Sequence, residues 1–137
     1  MDDYLIGIDP GVKTGLAVWN RRTRKFEVVR TTTICAAQET IRAMVARGNM
    51  VEVRIEDARQ RKWFGRAGRE RLKGVGSVNR DCSIWQEFCE HYGIKYVLVH
   101  PKDNTTKVQA EYFNRVTGWS GRSSEHSRDA GMLVVGG

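Results

Sequence analysis

Ile6-Gly7-Ile8-Asp9-Pro10-Gly11, continued by Thr14-Gly15-Leu16-Ala17-Val18-Trp19, is the stretch on which the fold turns. Tyr4 to Ile8 is an apolar run of strand length, and Asp9 stands where that strand gives way to loop. Pro10 and Gly11 supply a turn, and Gly15 opens a second apolar run, Leu16 to Trp19. The two runs read as a hairpin with one acid projecting from the end of its first strand. That acid has two readings. Asp-Pro-Gly is ordinary turn chemistry. A charge beside a core strand is also what a bound cation requires, because charges are rarely buried unless paired or metal-bound.

Outward from the hairpin, Arg21 to Lys25 is a basic turn and Phe26 to Thr31 a third strand. Three strands joined by short turns imply an antiparallel meander. Ile34, Ala37, Ile41, Met44 and Val45 recur at helical spacing, and Gly48 stands where such a helix would end. From Met50 to Ile55, Val51, Val53 and Ile55 alternate with Glu52 and Arg54, so this is a fourth strand, with Glu56 and Asp57 at its end. Val78, Cys82, Trp85, Phe88 or Cys89, and Tyr92 form a second helical stripe closed by Gly93. Lys95 to His100 is a fifth strand, and its nearly continuous apolar run, Tyr96 to Val99, predicts a central strand covered on both faces. Asn104 or Thr105 can cap a helix through about Thr117, with Val108, Tyr112 and Val116 on one face. Ser123 or Ser124 caps a last helix containing His126, Asp129, Ala130, Leu133 and Val134. The order βββαβαβαα predicts an α/β fold: a mixed five-stranded sheet, first a meander and then strands alternating with helices, with helices on its faces.

A chain of 137 residues, 40% hydrophobic and 28% charged, suits a single domain with an ordinary core. No apolar run approaches the roughly 20 residues needed to span a bilayer, so no membrane partner is expected. Met1-Asp2-Asp3 is no signal-peptide start. Cys35, Cys82 and Cys89 are odd in number and lack metal-site spacing, which suggests reduced thiols in a cytoplasmic setting. Cys82 and Cys89 can share a helix face as small core residues.

The net charge of +7 is concentrated. Residues 59 to 73 carry Arg59, Arg61, Lys62, Arg66, Arg69, Arg71 and Lys73 against one acid, Glu70, which is +6 and leaves +1 for the rest of the chain. An arginine patch of this density suits phosphate recognition; its plainer reading is a solvated charged surface. Gly65, Gly68, Gly74 and Gly76 disfavour a continuous helix, so residues 58 to 76 are expected to form a mobile basic loop. Trp63 and Phe64 within it can stack on bases or wedge into an opened junction, or else form a small cluster under the loop.

Asp9 and Glu56 end two strands, and Asp129 lies on the last helix with His126 three residues earlier on the same face. If the first and fourth strands are neighbours and the last helix crosses them, these groups converge. Carboxylates converging without a basic partner repel one another unless a cation lies between them. Oxygen-rich clusters suit Mg²⁺ or Mn²⁺, and two such ions are the usual device for displacement at phosphorus, one activating a water and the other stabilising the leaving 3′ oxygen. Asp57, next to Glu56, would point to the opposite face and reads as a cap or surface acid. His91 and His100 have no acidic partner at such spacing and read as structural, and Trp85 and Trp119 as core or interface residues.

Gly7-Ile8-Asp9-Pro10-Gly11 with Thr14-Gly15, then Ile55-Glu56, then His126-Ser127-Arg128-Asp129-Ala130, together resemble the RuvC family of Holliday-junction resolvases, of RNase H-like fold. The resemblance spans nearly the whole chain. It implies that Asp9, Glu56 and Asp129 are metal-binding carboxylates of a Mg²⁺-dependent endonuclease, and that His126 ligates a metal or activates water. It also implies a homodimer on four-way DNA junctions, with the helix from about Val78 to Tyr92 as interface; a two-fold junction needs two matching nicks. Lys102 and Lys107 loosely match two lysines of the family and join residues 59 to 73 as expected DNA contacts. The chain is shorter than cellular members between the fifth strand and the last helix and far richer in arginine after Glu56. A bacteriophage or prophage version, in a bacterial or infected host cell, fits both departures. Two rivals stand beside this reading: an RNA-processing nuclease of the YqgF type on the same fold, and a protein that binds branched nucleic acid without cutting it.

Overall fold

In the computed structural model, which describes residues 2–61 and 69–137 with the side chains of 69–75 and 78 set aside, the opening hairpin lies at the middle of the sheet. β1 (Tyr4–Asp9) pairs antiparallel with β2 (Thr14–Asn20), and β2 with β3 (Lys25–Thr32). β4 (Val51–Glu56) lies on the other side of β1 and parallel to it, and β5 (Lys95–Val99) lies parallel beyond β4. The order β3-β2-β1-β4-β5 is the expected mixed five-stranded sheet. Parallel neighbours need crossover connections, and α1 (Ile34–Ala46) and α2 (Arg69–His91) provide them. α3 (Ala110–Thr117) and α4 (Glu125–Met132) follow.

The two-residue period of the strands sorts the core into two layers. Ile6, Ile8, Leu16, Val18, Val53 and Ile55 face α1 and α2, where Ile41, Trp85 and Cys89 are fully buried. Leu5, Ala17, Trp19, Phe26 and Val29 face α3 and α4 and pack with Phe113, Ala130, Leu133 and Val134. Helices therefore cover both faces of the sheet. Cys82 and Cys89 are buried as expected, and Cys35 is exposed. No helix among the described residues is long and apolar enough to cross a membrane.

The second layer is unusually close to the sheet. A Cβ on Gly7 would collide with the carbonyl of Ala130, and one on Gly15 with the carbonyl of His126. α4 thus rests on the bare backbone of β1 and β2. Its N-terminus is fixed by a capping box, in which the Ser124 side chain accepts from Ser127 N and the Ser127 hydroxyl accepts from Ser124 N. Ser124 also bonds Thr31 of β3 through their hydroxyls.

Three expectations are corrected. β5 is an edge strand, with Val97 42% exposed. Tyr96 and Leu98 pack into one layer and Val99 into the other; the apolar run records two covered faces and carries no information about which strands lie alongside. Second, the basic loop expected over 58–76 gives way at Arg69 to helix, and Ala58–Gln60 form a 3₁₀ turn; residues 62–68 lie outside the described residues. Gly74 and Gly76 cost about 1 kcal/mol each in a helix, but α2 is anchored downstream by Cys82, Trp85, Phe88 and Cys89, and adding turns to an anchored helix is cheap. Third, the helix expected from Asn104 or Thr105 begins only at Ala110. Pro101–Asp103 form a 3₁₀ turn, and Lys107 is left-handed at φ 57°, which breaks any helix there. Phe113 stacks on Phe26 and takes the inward face, so Tyr112 and Val116 point outward, 41% and 46% exposed.

A candidate metal centre at the ends of two parallel strands

The register of β1 against β4 sets Ile8 beside Ile55, so the chain ends its two parallel strands with Asp9 and Glu56 side by side. Both share the parity of Gly7 and project toward α4. The helix, held down on Gly7 and Gly15, brings Asp129 over them. One carboxylate oxygen from each of Asp9, Glu56 and Asp129 lies within 4.8 Å of the others. Glu56 and Asp129 are buried and Asp9 is half-buried.

Nothing in that trio offers a cation, and its electrostatics show the strain. Burial, then the neighbouring charges of Asp9 and Asp129, push Glu56 up to about 7. Burial raises Asp9 as well, against the opposing hydrogen bond from His126. Burial also raises Asp129, against the opposing backbone N–H of Lys107. Three carboxylates that resist ionising together are stabilised by a hard divalent ion, whose oxygen ligands lie at about 2.1 Å for Mg²⁺. Oxygens with the spacing of this trio can close on one such ion with modest rotation, so the donor set fits the group.

His126 stands beside the trio. Its Nδ1 is 3.0 Å from Asp9 Oδ2 and its side chain is 53% exposed. It orients Asp9 and does not join the three mutually close carboxylates. Asp57 takes the opposite face, as its parity requires. It caps the 3₁₀ turn by accepting from Arg59 N, and its carboxylate holds the Arg59 guanidinium, which also donates to Ser83 and Gln86 of α2. Arg59, expected on DNA, is therefore committed to tying the end of β4 to α2.

The trio lies in a cleft of about 260 Å³, also lined by Arg61, Thr106, Lys107, Glu125 and His126. Arg61 is exposed, and its charge opposes the upward push on Glu56. Lys107 is in the lining and Lys102 is not; Lys102 is exposed on the 3₁₀ turn that His100 caps. Lys62, Trp63, Phe64 and Arg66 lie outside the described residues. Arg69, Arg71 and Lys73 belong to the first turns of α2, with their side chains outside the description. The sequence reading missed Thr106, Glu125 and the bond from Lys107 N to Asp129 Oδ1 at 2.8 Å. Asn104-Thr105-Thr106 was a usable signal, since Asn and Thr suit turns as well as caps. No family model and no curated protein matches the chain.

Proposed function

We propose that this protein is a divalent-metal-dependent endonuclease that nicks branched DNA, in the manner of a RuvC-type Holliday-junction resolvase. The observation that carries the reading is the meeting of Asp9, Glu56 and Asp129, from two strand ends and a helix, within 4.8 Å at the floor of an open cleft. A protein that only bound nucleic acid would gain nothing from clustered carboxylates beside phosphates, whose charge they repel.

Asp9, Glu56 and Asp129 would hold Mg²⁺ or Mn²⁺, as one ion or a pair. Bound there, the metal supplies positive charge for the reacting phosphate and a more acidic water. Asp9 is oriented for this role by His126 Nδ1, and the exposed imidazole can take a proton at Nε2. Arg61 and Lys107 at the cleft wall offer cations to a phosphodiester entering above the acids. The segment after Glu56 carries most of the net positive charge, so the strand that delivers a ligand runs within a few residues into the expected DNA-gripping surface. Two copies related by a two-fold axis, meeting through α2, would give paired nicks.

The test is Asp9→Asn on a synthetic four-way junction in Mg²⁺. Cleavage should be abolished while junction binding persists or tightens, because a repulsive charge is removed from the phosphate path. Cleavage at the wild-type rate would refute the assignment. Parallel assays on structured RNA separate the RNA-processing alternative.

A further inference from the structure

The segment from Asn104 to Lys107 makes two bonds to one residue. Asn104 Nδ2 donates to the backbone carbonyl of Asp129 at 3.1 Å, and Lys107 N donates to Asp129 Oδ1 at 2.8 Å. Twenty-five residues separate Asn104 from Asp129, so these are tertiary bonds. The same short segment carries two local penalties. Lys107 has a left-handed backbone at φ 57°, which residues other than Gly, Asn and Asp seldom adopt. Asn104 Oδ1 is buried with no hydrogen-bond partner among the described residues. Strained backbone and orphaned polar atoms persist where the surroundings over-determine them, and they cluster at working sites. Here both sit on the residues that grip Asp129.

We propose that Asn104 is a positioning residue, and that the Asn104–Lys107 strap sets the place and the free oxygen of Asp129 as a metal ligand. The inference rests on the metal-centre reading above. Asp129 is on the C-terminal half of an eight-residue helix, and the strap is its only hydrogen-bonded tie to residues outside α4 among the described residues. The amide of Asn104 holds the helix backbone at that residue. The N–H of Lys107 occupies Oδ1, and Oδ2 accepts no hydrogen bond among the described residues. Outer hydrogen bonds of this kind orient a ligand before the metal arrives. The contribution of Lys107 at this point is its main chain, whatever its ammonium does toward DNA.

The experiment is Mn²⁺ binding to the full chain without DNA, followed by calorimetry and by the electron paramagnetic resonance of the free ion. Asn104→Ala should weaken Mn²⁺ binding by about 10-fold. Asn104→Asp, which cannot donate, should not restore it. Lys107→Gly keeps the N–H and removes the backbone strain, so it should bind Mn²⁺ at least as tightly as wild type. Ile41→Val, in the core on the opposite face of the sheet, serves as a comparably destabilised control and should leave Mn²⁺ affinity unchanged. Equal affinity in Asn104→Ala and wild type, or the same loss in Ile41→Val, would overturn the positioning role. A 10-fold loss in Lys107→Gly would overturn the main-chain argument, because the variant keeps the N–H and removes only an ammonium that repels the ion. If wild type and Asp129→Asn are alike in failing to bind Mn²⁺, the metal-centre reading itself falls, and the strap with it.

Discussion

The sharpest consequence of the buried acids is that metal-free protein should lose stability as pH rises, and that Glu56→Gln should remove the share of that loss that Glu56 carries. In the fold Glu56 takes up its proton at about 7, against an ordinary value of 4.5. Below the lower value both folded and unfolded chains carry the proton and the group is neutral in the balance. Between the two values the folded chain holds a proton that the unfolded chain has released, so stability falls with rising pH and levels off above the upper one. That gap corresponds to about 3 kcal/mol, and Glu56 is only 7% exposed, so little of it is screened away. For a chain of this size the effect is roughly 10 °C in the unfolding midpoint. The assay is thermal unfolding of wild type and Glu56→Gln in chelator from pH 4.5 to 8. The variant should match wild type at the acid end and exceed it by several degrees at pH 8. Mg²⁺ at pH 8 should raise the wild type and leave the variant nearly unmoved. Parallel curves for the two proteins across the whole range would refute the account of the cluster.

Gly7→Ala should destabilise the fold by about 1–3 kcal/mol in urea unfolding, because its new methyl must displace the Ala130 carbonyl and with it α4; an unchanged midpoint would mean that the helix can slide. Replacing Arg66, Arg69 and Arg71 together by Ala should weaken junction binding and flatten the log–log salt dependence by up to about 3, measured by titration at several salt concentrations. An unchanged slope would put the DNA elsewhere, along Arg21 to Lys25 or Lys102 to Lys107. Sedimentation at micromolar concentration should give about twice the 15.6 kDa chain mass, and a strict monomer both free and on junction DNA would remove the paired-nick scheme.

The parts of the fold that the sequence made legible are those set by short-range rules. Alternation along Val51 to Ile55 and the turns of the meander fixed strands and faces, and the parity of Glu56 and Asp57 sent one acid to the cleft and the other to α2. The convergence of Asp9 with Glu56 followed once the two strands were taken as neighbours. What escaped depends on contacts far apart in the chain. Whether β5 lies inside or at the edge is decided by strand neighbours, which its own residues do not encode. Phe113 displaced the expected stripe of Tyr112 and Val116 because Phe26 waits across the layer. Arg59 looked like one more cation of the basic run until Asp57, Ser83 and Gln86 claimed it.

Two missing side chains set the depth of the cleft. Because Gly7 and Gly15 present only backbone, α4 has no cushion of methyl groups on which to settle at a slightly different height. Gly131, on its other flank, lies close against the ring of Phe113, though less tightly than the two strand glycines lie against the helix. The helix is thus gauged from both sides, and the gap between Asp129 and the strand-end acids inherits that tolerance. Small residues that carry no functional group then act as the calibration of the site. A substitution survey should find them among the positions where cleavage fails while the protein still folds, a signature usually credited to residues that touch the substrate.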